Sequence, residues 1–348
     1  CSRSSPIAVL LYCPLWAKMR RRKIGWPIGC WRGCKAWRYD ARMNLQQLRF
    51  VQEAVRRGLN LSEVAKALHT SQPGVSKAIL ELEHELGVDI FSRHGKRLRS
   101  ITPAGEQLLK SVEVVLREVG NIKNIAAEHV RQGTGTFSIA TTHTQARYVL
   151  PAPIARLRQD FPQLSISLHQ GTPDQVAQML LEDVAEIGIA TESLTKYPDL
   201  VTLPCYDWQH MLIMPKDHPL AARKKPSLQE VAQQPLITYH PTFTGRTHID
   251  QAFAAAQLKP HVVLEAIDSD VIKTYVRSGL GLGIIAEMAA ASDFPDGLVA
   301  IPAGHLFGTN TTRIALKRGV YLRNFVYAFA QYLSSKLTQS AIDKAMRT

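Results

Sequence analysis

From residue 43 onward the spacing of apolar positions changes character several times, and each change predicts a different kind of element. Leu45, Leu48, Val51 and Val55 recur at helical spacing, and a second short helix is expected with Ser62 as its N-cap and Ala65 and Leu68 on one face. In "TSQPGVSK", Thr70 to Lys77, Ser71 reads as an N-cap and Pro73 falls in the first turn, where a missing N–H costs no helical bond. Val75, Ile79, Leu82 and Leu86 then form an apolar stripe, and Gly87 ends the run as a C-cap. Phe91 and Leu98 bracket a glycine turn, which predicts a two-stranded hairpin. Thr102 before Pro103 opens a long helix on which Leu108, Val112, Val115, Val119, Ile122 and Ala126 step by four and three. At 1.5 Å per residue such a helix spans ~35 to 40 Å. "RQGTGT" from Arg131 reads as a hinge. Beyond it strands and helices alternate: "FSIATT", "VLPAPIARLRQDF", "LSISLHQ", "PDQVAQMLLEDV", "AEIGIAT". That alternation predicts a parallel sheet with covered faces, which binds ligands at the carboxyl ends of its strands. "GLGLG" at Gly279 to Gly283 lacks dinucleotide-binding spacing and reads as a turn feeding a strand.

Charge refines the picture of the first helices. The 348-residue chain has a formal net charge of +13, distributed unevenly. Residues 1–42 carry ten basic residues against one acidic, residues 43–100 nine against six, and residues 101–348 twenty-three against twenty-two. The large C-terminal part is therefore balanced, which argues against a general polyanion binder. Within the third helix the first turns present Ser71, Gln72, Ser76 and Lys77, whereas Glu81, Glu83 and Glu85 crowd the other end. Such a helix suits a major groove entered by its N-terminus, the end whose dipole favours phosphate. Arg93, Lys96, Arg97 and Arg99 on the following hairpin would supply backbone contacts.

The ordered string "LNLSEVAKALHTSQPGVSKAILELEHELGVDIFSRHGKRLRSITPAGE" resembles the winged helix-turn-helix of LysR-type transcription regulators. S-Q-P opens its reading helix, L-E-x-E-L-G closes it, F-x-R begins the wing and T-P-A-G opens the next helix. The resemblance implies an α/β multidomain protein that is not an enzyme. An N-terminal winged helix-turn-helix is expected at 43–101, a linker and dimerisation helix at 102–130, and an effector-binding domain at 134–335. The last is expected to be a type II periplasmic-binding-protein-like pair of α/β subdomains, followed by a tail at 336–348. DNA contacts are expected from Ser71, Gln72, Pro73, Ser76, Lys77, Arg93, Lys96 and Arg97.

Small polar residues stand where the strands of the C-terminal half end: Thr141 to Gln145, Gly171 with Thr172, and Thr191 with Glu192. A later stretch adds Thr242, Thr244, Gly245, Arg246 and Thr247 before another helix. Hydroxyls and backbone amides at such turns can cradle an anion without a full cation. The runs "IATTHTQARYVLP", "DLVTLPCYDW", "FTGR" and "DSDVIKTYVRSGLGLG" are similar to the branch of the family that governs sulfur assimilation and cysteine biosynthesis. That similarity implies a ligand site at Thr142, Thr144, Gln145, Thr191 and Thr244 with Trp208 close by, for acetylserine or a sulfate- or thiosulfate-like anion. It further implies an activator that works as a dimer or homotetramer on promoter DNA, with RNA polymerase as a partner the resemblance allows.

The first 42 residues hold four of the five cysteines and four of the five tryptophans. We read them as an extension outside the native fold, because their composition is unlike the rest and an amphipathic pattern opens afresh at Met43; an export signal would place the basic run before the apolar one. Past them only Cys205 remains and no run reaches the ~20 apolar residues of a membrane span, so a cytoplasmic protein away from membranes is expected. Cys205 with His210 lacks a glycine elbow and an orienting acid, which argues against nucleophilic catalysis. The twelve histidines show no metal-ligand spacing, and neither a metal nor a cofactor is expected. A transport binding protein would share the ligand cleft but would need no DNA-reading helix.

Overall fold

The computed structural model describes residues 43–347 apart from 96, 131, 132, 244, 292, 293 and 295. The extension at 1–42, Lys96 of the wing, Arg131 of the hinge and Thr244 of the expected ligand site therefore lie outside the described residues. Two compact units divide at Asp89 and Ile90, so the wing hairpin groups with the second unit, not with the helices before it.

The described part of the first unit is helical: α1 (Leu45–Arg56), α2 (Leu61–Ala67) and α3 (Gln72–Leu86). Leu48, Val51, Ala54, Val64, Val75, Ile79 and Leu82 are buried together, whereas Leu45 and Leu86, the outer ends of the expected stripes, are exposed. Asn44 caps α1 in a capping box with Gln47. The cap of α2 is Asn60, not Ser62: its side-chain oxygen accepts from the amides of both Ser62 and Glu63. A residue already inside the first turn cannot also cap it, and an amide oxygen one residue before the helix reaches both orphan donors. Ser71 caps α3 as expected, and Gly87 closes it at φ 70 in the left-handed region.

The second unit opens with the antiparallel pair β1 (Phe91–His94) and β2 (Arg97–Ile101), followed by α4 (Pro103–Val130). Thr102 caps α4, its hydroxyl accepting from the Gly105 amide at 2.9 Å. Gly105 sits so close to the chain before the wing that a Cβ there would fall 2.1 Å from the Ile90 carbonyl oxygen. Leu109 and Val112 of α4 are buried, but Val115 and Ile122 of the expected stripe are exposed, as are Val114, Ile125 and Val130. Buried Asn121 fastens α4 to the last part of the chain, donating to the Gly319 carbonyl at 2.9 Å and accepting from the Tyr321 amide at 2.7 Å.

After α4 the chain forms β3 (Gly135–Thr141), α5 (His143–Tyr148), α6 (Pro151–Asp160), β4 (Leu164–Gln170), α7 (Pro173–Leu181), β5 (Ile187–Ala190), a 3-10 turn (Glu192–Lys196) and β6 (Leu200–Pro215). Next come α8 (Leu228–Ala232), β7 (Pro235–Tyr239), α9 (Arg246–Ala255), β8 (His261–Ala266), α10 (Ser269–Arg277), β9 (Leu282–Ala286) and α11 (Glu287–Ala291). The chain ends with β10 (Leu298–Pro302), α12 (Gly304–Phe307), β11 (Thr309–Lys317), α13 (Asn324–Leu333) and α14 (Gln339–Arg347).

These strands form two halves joined through β6. In the first, β4, β3 and β5 are parallel as expected, but β11 returns antiparallel beside β5 and β6. In the second, β8, β7 and β9 are parallel, while β9 and β10 flank the far end of β6 antiparallel. The sheet is thus mixed, and the reason is geometric. A 16-residue β6 is long enough to serve both halves, and β11 must run back along it to bring the chain home to the first.

Alternation along the strands sorts side chains into two cores per half. Phe137, Ile139 and Leu164 pack with Leu157, Phe325 and Phe329 on one face of the first sheet, and Ala140 and Ala315 with Val176 and Leu180 on the other. Leu212 and Met214 of β6 face Ile249 and Phe253, while Ile213 between them faces Ile272 and Val276. The segment beyond Ser335, to which the sequence assigns no role, carries α14, whose Ile342 is fully buried against the first core. "GLGLG" is a turn feeding β9, with Gly279 at φ 78.

Candidate functional site

Two regions gather the residues singled out by the sequence. The first is the beginning of α3, where Ser71, Pro73 and Lys77 are exposed and Gln72 and Ser76 half-buried. The Ser71 hydroxyl accepts from the Gly74 amide at 3.3 Å, and Lys77 lies 3.7 Å from Glu81 in an exposed pair that holds it only weakly. Of the three carboxylates expected at the far end, Glu83 is buried, whereas Glu81 and Glu85 are exposed. The turn offers short hydrogen-bonding groups and one exposed cation, which are groups suited to base edges and a flanking phosphate. On the wing, Arg97 and Arg99 are both exposed, two residues apart on β2 and hence on one side of the ribbon. Arg93 is half-buried opposite Leu98, beyond an irregularity in the pairing at Ser92 and Arg93.

The second region is the seam between the two halves of the sheet. Thr142 precedes α5 in extended backbone, yet its side chain makes no cap bond, and its buried hydroxyl has no partner. Thr144 and Gln145, next along α5, are buried as well. The Gln145 amide donates at 3.3 Å to the Thr312 hydroxyl, which also accepts the Trp208 indole N–H at 3.1 Å, and the Tyr206 hydroxyl donates to the Gln145 carbonyl oxygen. Gln145 and Trp208 are thus brought together, but through Thr312 of β11. Thr191 is buried at the end of β5 without a side-chain cap bond. Four of the expected ligand residues therefore come from β3–α5 and β5, and Trp208 from β6.

Other expected polar residues have structural work. Thr172 caps α7 in a capping box with Gln175, and the Thr141 hydroxyl donates to the Ile189 carbonyl at 3.0 Å. Arg246 is held by Asp250 at 2.7 Å, Glu265 at 2.9 Å and the Tyr239 carbonyl at 2.5 Å. Its charge is thus already neutralised, and the seam relies on uncharged donors.

Sequence reasoning missed part of this region. His210 and Asn310 are fully buried on β6 and β11, with the Asn310 side-chain amide 3.4 Å from His210 Nδ1. Burial pushes the His210 imidazole down to about 3, so it is neutral near pH 7. His210 Nε2 and Asn310 Oδ1 have no partner and converge on Gly245, where a Cβ would stand 2.6 Å from the former and 3.0 Å from the latter. No local motif marks Thr312 or Asn310, because β11 reaches the seam from more than a hundred residues away. Cys205 is buried against the first core and desolvation pushes its thiol up to about 12, which removes it as a nucleophile. Among the described residues no helix is long and apolar enough to cross a membrane.

Comparison with known proteins places both regions. Residues 45–106 match the bacterial regulatory helix-turn-helix protein, lysR family, and residues 131–338 match the LysR substrate binding domain. The chain is 54% identical over 305 residues to the HTH-type transcriptional regulator CysB of Burkholderia cenocepacia, covering 88% of this chain and 97% of that one. It is 49% identical over 305 residues to the regulator SsuR of the same organism, with 88% and 99% covered. The crystal structure of the cofactor-binding domain of the Cbl transcriptional regulator superposes with a TM-score of 0.60 at 44% identity, covering 62% of this chain and 95% of that domain. With both family models matched in order and relatives at about half identity aligned over nearly the whole described length, the chain belongs to the LysR family of bacterial transcription regulators.

Proposed function

We propose that this regulator controls sulfur-assimilation and cysteine-biosynthesis genes, and that its seam binds acetylserine or a sulfate- or thiosulfate-like anion. The observation that carries the ligand reading is the buried, unpartnered Thr142 hydroxyl beside buried Thr144 and Gln145. An orphaned buried hydroxyl costs about 1–3 kcal/mol, which an oxyanion acceptor would relieve. Arg246, the cation expected near the seam, is already paired, so selectivity rests on hydrogen-bond geometry. Thr144→Val is expected to weaken binding roughly tenfold by deleting one donor, and titration calorimetry with acetylserine and with thiosulfate checks it. Unchanged affinity for both removes Thr144 from the site.

On DNA, α3 enters the major groove and the wing follows the backbone. Gln72→Ala and Ser76→Ala are expected to relax sequence preference, each good base contact being worth about 1–3 kcal/mol of discrimination. Arg97→Ala is expected to weaken binding to all duplexes alike and to reduce the salt slope by about 1. Footprinting across a salt series on sulfur-gene promoters separates the two effects, and full selectivity in the first pair counts against the groove assignment. The exposed apolar side of α4 fits pairing of two chains in the cytoplasm, and tetramers and RNA polymerase contact belong to the same reading. A second reading rests on the nearly equal identity to two differently named regulators of one organism. In it the seam senses a different small anion from another pathway, and calorimetry that is silent with acetylserine, sulfate and thiosulfate selects it.

A further inference from the structure

One side of the contact that pins the two halves of the effector domain together lies on α5, the helix that also carries the expected ligand residues Thr144 and Gln145. We propose that Tyr148 and Lys273 are positioning residues: with Asp270 they form a latch that holds the seam closed around its ligand. The inference rests on the reading of the seam as the ligand site.

Tyr148 stands one turn after Thr144, on the same side of α5. Its hydroxyl donates to Asp270 Oδ1 at 2.5 Å and accepts from Lys273 Nζ at 2.9 Å, both on α10 in the other half of the domain. Lys273 is 3% exposed, 3.5 Å from Asp270, and its ammonium lies 4.7 Å from the centre of the Tyr148 ring. Arg147 adds a 2.5 Å contact to the second Asp270 oxygen. A buried ammonium persists only where such partners replace water, so this cluster keeps its form only while the halves stay together. Burial and the Asp270 carboxylate raise the Tyr148 hydroxyl above its ordinary range, which keeps it a donor at neutral pH.

Four residues before Lys273, at the start of α10, Ser269 is buried with its hydroxyl 2.6 Å from the Tyr239 hydroxyl. That phenol also accepts the Ala286 amide at 2.9 Å, and the Thr144 side chain lies close enough to interact with it. Two positions one turn apart on α5, 144 and 148, thus meet two positions one turn apart on α10, 269 and 273, with Tyr239 between the first pair. A ligand that engages Thr144 acts at one end of this zipper, and Lys273 secures the other. A cleft whose competent closed form is partly lost binds more weakly in proportion to the loss.

The full chain, Tyr148→Phe and Lys273→Met are to be titrated with acetylserine and with thiosulfate by calorimetry, with hydrogen exchange followed in residues 143–150 and 269–278. For the unmodified chain, binding with added protection in both segments is expected. For both variants about a tenfold weaker affinity is expected, with the ligand-induced protection of 269–278 lost. Tyr148→Phe retains the ring and its packing, so it reports on the latch even where Lys273→Met fails to fold. Unaltered affinity and protection in Tyr148→Phe overturn the latch while leaving the ligand site in place. No binding of either probe by the unmodified chain removes the reading of the site, and the latch with it.

Discussion

Gly105→Ala is expected to destabilise the second unit by roughly 3 kcal/mol or more and to displace the wing. The added Cβ would lie 2.1 Å from the Ile90 carbonyl oxygen and 3.0 Å from its carbonyl carbon. These are backbone atoms, so no rotamer change relieves the collision. Moving Ile90 would also break the contacts that tie this stretch to α4, since its carbonyl accepts from the Thr102 amide at 3.0 Å and from the Thr102 hydroxyl at 3.3 Å. The glycine of T-P-A-G is therefore required by close approach, with no need of an unusual φ. Thermal unfolding together with affinity for nonspecific DNA checks the expectation. A variant that melts like the parent and keeps its salt slope would show that the stretch before the wing can yield.

Gly245→Ala is expected to abolish ligand response while DNA binding survives. At φ 72 the residue occupies the left-handed region, which costs a substituted residue about 1–2 kcal/mol. Its Cβ would also press on His210 and Asn310, both fully buried and unable to swing away. The start of α9 must then lift from β6 and β11, and the seam loses one wall. Calorimetry with acetylserine and thiosulfate, beside a footprint without ligand, checks this. Ligand affinity close to that of the parent would place the wall elsewhere.

Much of the DNA-reading part is legible because its signals are local. Ser71, Pro73 and Gly87 bound α3 through caps that need only neighbouring residues, and Thr102 does the same for α4. Where local reading errs, a neighbour wins: Asn60 outcompetes Ser62, and Glu83 reads as a solvated carboxylate although helical phase turns it inward. In the ligand half the alternation locates each βα turn, but not which turns hold a ligand. Thr172 stands at a strand end as Thr142 does; the former caps its helix and the latter leaves its hydroxyl bare.

By itself the sequence determined the ends of α3 and α4, the alternation of strand and helix from β3 to β5, and the family, since caps, periodicity and ordered motifs act over a few residues. Tertiary structure alone decided that β11 returns to bring Thr312 and Asn310 beside Trp208 and His210, that Arg246 is neutralised, and that α5 is pinned to α10. Those facts depend on which distant segments become neighbours, and pairing across a hundred residues or more is set by the burial of whole sheet faces, which leaves no mark at the individual positions it joins.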